Sequence, residues 1–519
     1  MLSTIDLVIV AVYAVGLFAL AQWVSREPSG QQKSAQDYFL AGKALPWWAV
    51  GASLIAANIS AEQIIGMSGS GYAIGLAIAS YEWMAAFTLL LVGKFLLPIF
   101  LKTGIYTMPQ FLEQRYDSRV KTVMAVFWLG VYTLVNLTSI LWLGALAINT
   151  VAGVDLNFGL AGLGIFAVAY SLYGGLRAVA LTDIIQVILL VSGGLMISWI
   201  LLDQIGAGAG VLAGFTMLTQ QAPDKLHMIL NEGHPHYMSL PGLSVLLGGM
   251  WVMNLSYWGF NQYIIQRALA AKSVDEAQKG IVFAAFLKLL MPVIVVLPGI
   301  AMFVLNPELS APDKAYPSAM NLLPLGIKGL VFAALLAAIV SSLASMCNSI
   351  STIFTVDVAP SLGLEGGGGQ RSVPLGRIVA ISAMIIAMLT ARPLLGNFEQ
   401  AFQYIQEFTG FFTPGIVAIF MLGLFWKRAT ATAALLSAIT SAALSLLLKL
   451  YWPDLPFMDR VGLVFLLCVA VGVLWSMLRP QIQTGFVEPA DVSFSTTQGF
   501  NLSALVVTLT LIFFYTVWW

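Results

Sequence analysis

Apolar runs long enough to cross a bilayer recur along this chain from one end to the other. A spanning helix needs about 20 predominantly apolar residues, and in hydrocarbon every backbone N–H and C=O must be bonded within the protein. The runs fall at 6–25, 48–74, 78–101, 122–152, 158–175, 183–204, 244–268, 277–304, 327–357, 374–391, 399–425, 430–449, 459–478 and 501–519. They predict an all-α integral membrane protein with fourteen transmembrane helices. Only 9% of the 519 residues are charged, against about 25% in a soluble domain, so a soluble fold would have almost no surface. The first run, Leu7 to Trp23, has no basic residue before it and no clear cleavage site, and reads as a retained helix.

The basic residues test this topology. Alternate connections, beginning after the first helix, hold Arg26, Lys33, Lys43, Lys102, Arg115, Arg119, Lys121, Arg177, Arg267, Lys272, Lys279, Arg371, Arg377, Lys427, Arg428 and Arg479. The opposite side holds Lys225, Lys314, Lys328, Arg392, Lys449 and Arg460, which leaves Lys94 and Lys288 inside spans. Cytoplasmic loops carry the excess of Lys and Arg. Both termini are therefore expected outside the cytoplasm, in a multi-pass membrane protein. Net charge is zero, which gives no pull toward nucleic acid. Cys347 and Cys468 lie in apolar segments and read as packing residues. The connection from 205 to 243 holds His227, His234 and His236 and reads as an external loop or surface helix, with a metal site as the lesser alternative. The stretch Glu365 to Gln370 reads as a cytoplasmic linker.

Four regions resist a plain packing-helix reading. Asn58 to Gln63 places polar residues within an apolar span; Glu82 stands between Tyr81 and Trp83; Asn254 to Gln262 mixes amides with Tyr257 and Trp258, followed by Lys288 in the next span; and Phe402 to Glu407 includes Gln406. Ionisable groups at membrane depth face a cavity, a partner or a pathway. Asn, Gln, Glu and Lys together can donate to and accept from the hydroxyls of a neutral polyol. Aromatic faces such as Tyr81, Tyr257, Trp258 and Phe402 can cover the apolar side of a sugar ring. For one amide alone, interhelical hydrogen bonding is the better reading; for all four clusters it is the poorer one.

A second constellation is Ala338 with Ser341 and Ser342, whose oxygens, paired with carbonyls of Ala56 and Ile59 from an unwound helix, suit a small monovalent cation. Carboxylates are not concentrated there as Ca²⁺ requires. After the first span, two sets of five follow, each opened by an irregular helix. Sets of odd number must have opposite orientations, which is the plan of inverted-repeat transporters. The expected divisions are 1–47, an extra helix and cytoplasmic linker; 48–206, the first five-helix repeat; 207–243, an external connection; 244–425, the second repeat; and 426–519, three extra helices.

The motifs Asp37 to Lys43, Gly51 to Gln63, Tyr72 to Met84, Ser171 to Leu176, Thr182-Asp183, Gly259 to Arg267 and Ser341 to Asn348 resemble the sodium/solute symporter family, and closely its bacterial sodium/galactose members. The resemblance runs over nearly the whole chain. It implies a five-plus-five inverted-repeat core with discontinuous first helices. It also implies a sugar ring of Gln63, Glu82, Asn254, Lys288 and Gln406 with Asn58 beside them. Tyr257 would be the inner gate with Trp258 next to it, and Met67, Tyr81 and Phe402 the outer cover. The ion ligands would be Ala56, Ile59, Ala338, Ser341 and Ser342, and Asp183 would lie on the sodium exit route. Ala85 departs from the bacterial family member it is compared with, which has a serine three residues after its glutamate, and the loop from about 304 to 323 looks shorter.

The expected function is sodium-coupled symport of a neutral hexose, galactose or glucose, by alternating access, with Na⁺ as co-transported ion and no cofactor or enzyme activity. The expected partners are a neutral monosaccharide, sodium and the lipid bilayer, with a weak homo-oligomer left open. The alternatives are another solute (an amino acid, sialic acid or a vitamin), a sugar sensor without transport, and proton coupling through a buried Glu. A carboxylated solute would call for a buried Arg near the broken helix, whereas Glu82 would repel it.

Overall fold

The computed structural model describes residues 2–24, 43–364, 372–396, 400–481 and 485–519. The side chains of 18, 21–24, 172–183, 372, 373 and 489 lie outside that description. Asp37 to Gly42 of the first motif, the 365–370 linker and the Asp183 side chain are therefore not among the described parts.

The described chain is a bundle of membrane helices. Nine are long and apolar enough to cross a bilayer, and two bent pairs, Trp47–Asn58 with Glu62–Ala73 and Ala401–Thr409 with Thr413–Phe425, raise the number to eleven. Two shorter apolar helices, Thr4–Leu17 and Leu156–Ser171, coincide with the first and fifth expected spans. The expected span at 244–268 is interrupted. Gly249–Leu255 runs into a π-helical turn, Ser256–Phe260, then Asn261 is extended (φ −83°, ψ 121°) before Gln262–Leu269 resumes the helix.

Helical hydrogen bonding is assigned from Leu156 to Ile205, across two expected spans. Ser171 Oγ donates to Ala344 O at 3.4 Å, whereas Gly193 sits against Val331, further back along the same neighbour. Leu163 and Ile339 both close on Gly144. Both apolar stretches thus pack on the Ile327–Ile353 helix. That central helix is buried along most of its length, which is why it reads as almost continuously apolar or small. The first helix docks on its start: the Asp6 carboxylate accepts Gly326 N and Gly329 N, both at 2.9 Å, satisfying amides that a helix start leaves unbonded.

The first bent pair turns by 62°. Ile59 leaves helical geometry (φ −72°, ψ 76°), and Ser60 N bonds Asn58 O at 2.8 Å instead of continuing the helical series to Ala56. The second pair turns by 47°. There Gly410 and two Phe residues precede Pro414, which lacks an N–H and fits the first turn of the next helix.

Close backbone approach holds the second half of the broken helix. A Cβ on Gly71 would lie 2.7 Å from Val296 O, and one on Gly299 would lie 2.1 Å from Ser68 O. These glycines let Met67–Ala73 and Val296–Leu305 touch backbone to backbone, the small-residue packing typical of membrane helices. On the far side of Glu82, Trp83 stacks on Phe514 at 4.5 Å and Tyr515 Oη lies 3.0 Å from Ser80 Oγ. The C-terminal helix thereby braces the helix that carries Tyr81 and Glu82. Gly299→Val should cost about 1–3 kcal/mol through overpacking and lower the melting temperature of the purified protein. An unchanged melting curve would contradict this backbone contact.

Candidate substrate and ion site

The break in the first bent helix puts Asn58 before the bend and Gln63 after it. Both face one internal cavity of about 60 Å³, room for only a few waters. All eleven residues expected in the sugar ring and its covers line it: Asn58, Gln63, Glu82, Asn254, Lys288 and Gln406, with Met67, Tyr81, Tyr257, Trp258 and Phe402. Glu62 and Met253 complete the wall. Ala85 is buried and outside the lining; the cavity stops at Tyr81 and Glu82, so its place in the ring is not supported in this conformation.

A continuous polar chain crosses the cavity. Tyr257 Oη accepts Asn58 Nδ2 at 3.0 Å. Lys288 Nζ donates to Asn58 Oδ1 and to Glu82 Oε2, the latter at 2.5 Å. Gln63 Nε2 donates to the other oxygen, Glu82 Oε1, and lies 3.4 Å from Met67 Sδ. Lys288 also stands 4.9 Å over the Trp258 ring. The side chains of Lys288 and Glu82 are 0% and 3% exposed. At that burial each charge depends on the other, because neither has water to solvate it. Asn254 is anchored apart from the chain, donating to Met250 O at 3.1 Å.

The two ends of the cavity are built differently. At one end Tyr81 and Phe402 meet edge to face at 5.2 Å, with Met67 beside them. Beyond this cover, Asp313 on the short 304–323 loop accepts Ala401 N at 3.0 Å and packs against Gly69. Burial pushes its carboxyl up to about 7, the Ala401 amide working in the other direction. At the other end Tyr257 Oη is 2.5 Å from Tyr263 Oη, and Tyr132 Oη donates to Asn261 Oδ1 at 2.6 Å. This tyrosine cluster is fixed by the extended residue at Asn261, which no apolar periodicity marks.

The five expected ion ligands are all buried at the bend. The Ile327–Ile353 helix packs on Trp47–Asn58 there, and Ser342 Oγ lies 3.5 Å from Ala57 O, one residue along from the expected Ala56. Arg267, counted above among the cytoplasmic loop charges, is instead 1% exposed. Its guanidinium reaches Ser53 Oγ and Ser345 Oγ, both at 2.8 Å, and Tyr263 O. It thus ties the bent helix to the Ile327–Ile353 helix near the bend. Sequence reasoning missed this, because a lone Arg near a span end looks like a loop charge. Glu62 was also missed as a separate feature; it accepts Ser139 Oγ and lines both the central cavity and a neighbouring one of about 90 Å³.

A membrane-helix bundle with a broken helix feeding polar groups to a central cavity is the architecture of a secondary transporter. Residues 38–441 match the family described as "Sodium:solute symporter family", and the chain belongs to it. The Sodium/glucose cotransporter of Vibrio parahaemolyticus is 52% identical over 100% of this chain and 99% of its own length. The Uncharacterized symporter YidK of Escherichia coli (strain K12) is 32% identical over 93% of this chain and 84% of its own. In fold, the chain resembles a substrate-bound, outward-open Na⁺-coupled sialic acid symporter, with TM-score 0.80, 24% identity, and coverage of 93% of this chain and 100% of that one. The expected kinship to galactose transporters is thus narrowed to kinship with a bacterial glucose cotransporter. The protein is a multi-pass membrane protein that carries out sodium-coupled secondary transport of a small solute by alternating access, and not an enzyme.

Glu82→Gln would leave Lys288 buried without its counter-charge, at a cost of about 3–5 kcal/mol. Glu82→Gln combined with Lys288→Met should recover most of the lost thermal stability while leaving transport abolished. Equal melting temperatures for wild type and Glu82→Gln would contradict the pairing.

Proposed function

We propose that the solute is a neutral hexose, glucose or galactose, bound by Asn58, Gln63, Glu82, Asn254, Lys288 and Gln406. The observation that carries this reading is the convergence of these six side chains on one cavity. Asn58, Lys288, Glu82 and Gln63 form a chain of donors and acceptors that hydroxyl groups can enter by exchange, with Asn254 and Gln406 beside it. Trp258 and Tyr257 offer ring faces from one side, with Tyr81 and Phe402 from the other. Kinship to a sodium/glucose cotransporter supports the same solute class. A carboxylated solute fits less well, since it would meet Glu82 and find the cation that lines this cavity, Lys288, already paired. Tyr257 acts as inner gate and Met67, Tyr81 and Phe402 as outer cover. Asp183, by resemblance, lies on the ion's exit route.

Sodium is held by carbonyls of Ala56, Ile59 and Ala338 and hydroxyls of Ser341 and Ser342. The bend supports this, because Ser60 N turns to Asn58 O and releases Ala56 O from its helical partner. The ion would bridge the broken helix to the Ile327–Ile353 helix, favouring one placement of Asn58 and Gln63. The core reads as two five-helix repeats, 48–206 and 244–425, within fourteen spans and between the extra segments 1–47, 207–243 and 426–519. Both termini face outside a bacterial inner membrane, as the distribution of basic residues supports. The second broken helix, Gly249–Leu269, opens the second repeat as Trp47–Ala73 opens the first.

Uptake in proteoliposomes tests this. Gln406→Ala should impair hexose uptake with the protein still inserted, and Ser342→Ala should shift the sodium concentration curve to higher values. A competition panel should rank glucose and galactose above amino acids and sialic acid. Uptake blocked by an amino acid and untouched by hexoses would overturn the solute assignment, and an unshifted sodium curve would overturn the ion site.

A further inference from the structure

The first helix, the Leu156–Ser171 stretch and the Ile327–Ile353 helix leave a cavity between them that shares no residue with the central one. It measures about 290 Å³, close to the lower end of the roughly 300–1,000 Å³ of small-molecule sites. Tyr13 and Leu17, Phe158 and Gly162, and Leu336 and Val340 are the contributions of the three helices. Every lining residue except Tyr13 is aliphatic, phenylalanine or glycine. Phe158 in its wall is 75% exposed, so the cavity meets the surface that faces lipid.

Water gains nothing from such a lining, and an apolar cavity stays dry. Left empty, it forfeits the dispersion contacts of its walls. The hydrocarbon chains beside it are as apolar as its own leucines and can restore those contacts. One polar atom narrows the choice of occupant. Tyr13 Oη is buried and has no hydrogen-bond partner among the described residues, and buried hydroxyls are rarely left so. A plain hydrocarbon does not answer it, whereas a chain that carries a carbonyl does.

The placement of the hydroxyl fits a phospholipid ester. Side chains of a helix lean toward its N-terminal end. The first helix begins at Thr4, and Asp6 holds it to the start of the Ile327–Ile353 helix through Gly326 N and Gly329 N. Tyr13 therefore leans toward the membrane surface at which both helices begin, the level of the ester groups, and Leu17 and Val340 lie deeper. Gly162 keeps the space open. A Cβ there would meet nothing within 4 Å, whereas one on Gly159 would lie 3.3 Å from Ala145 and one on Gly144 2.8 Å from Leu163. Helix packing explains the latter two glycines and leaves Gly162 to the cavity.

We propose that this cavity binds one acyl chain of a membrane phospholipid, its ester carbonyl accepting the Tyr13 hydroxyl and its chain lying against Phe158, Leu336 and Val340. The test uses the protein in phosphatidylcholine vesicles with a trace of diester phosphatidylcholine carrying a photoreactive acyl chain, the cross-linked peptides being located by mass spectrometry. Residues 10–17, 158–166 and 333–340 should be labelled severalfold more than the exposed surfaces at Leu446 and Leu450 or Leu502 and Leu505. The same lipid with ether linkages should label them severalfold less in the wild type, and the difference should vanish in Tyr13→Phe. Gly162→Leu, which fills the cavity, should remove the enrichment, and a melting temperature at or above that of the wild type shows that it is folded. Should Gly162→Leu not fold, the ester–ether comparison in the wild type and Tyr13→Phe decides alone. Labelling no stronger than on the exposed surfaces, or enrichment that survives in folded Gly162→Leu, overturns the site. Equal labelling of the wild type by ester and ether lipids overturns the ester bond to Tyr13.

Discussion

The buried Lys288–Glu82 pair is the interaction on which the rest of the site depends. Each charge is removed from water at the middle of a membrane protein, where an unpaired ion is costly. The pair is retained because two amides complete it, Asn58 on Lys288 and Gln63 on Glu82. Those amides stand on opposite sides of the bend in one helix. The angle of that helix, the spacing of its neighbours and the satisfaction of two buried charges are therefore one problem with one solution. A solute that inserts hydroxyls between these groups must replace the bonds it breaks, which selects molecules with several donors and acceptors at ring spacing.

The same bend gives a physical reason for coupling. The Ala57 carbonyl at the bend lies 3.5 Å from Ser342 Oγ on the Ile327–Ile353 helix, while the side chains of Asn58 and Gln63 face the cavity. An ion holding the backbone in place changes the cost of presenting Asn58 and Gln63, and by reciprocity a bound solute changes the cost of holding the ion. One positive charge moving inward through about 100 mV contributes about 2.3 kcal/mol, enough for roughly fifty-fold accumulation. Arg267, bonded to Ser53 and Ser345, clamps the same two helices near the bend. It limits how far they can separate without losing a buried guanidinium's partners.

Much of this was legible in the sequence, for reasons that differ by element. Many of the spans were readable because lipid imposes apolar helices of fixed length: nine of the runs fall on described helices long enough to cross a bilayer, and two more on the bent pairs. The cavity residues were readable because polar groups are so rare in such segments that Asn58, Gln63, Glu82, Lys288 and Gln406 stood out singly. The break at Asn261 was not readable, since Asn can cap, bend or simply face a partner, and only Tyr132 and Tyr263 around it decide which. Arg267 was misplaced because proximity to a span end in sequence does not reveal whether a long side chain turns outward to water or inward to two serines. Ala85 stayed outside the cavity wall because proximity along the chain to Glu82 does not fix how far a closed cavity reaches.

The central claim is that one bent helix joins the ion and solute sites. Equilibrium binding of labelled hexose to the purified protein, with and without sodium, and of sodium, with and without hexose, addresses it directly. Sodium should tighten hexose binding, and hexose should tighten sodium binding by the same factor. A hexose dissociation constant at the Lys288–Glu82 cavity that is unchanged when potassium replaces sodium would contradict it.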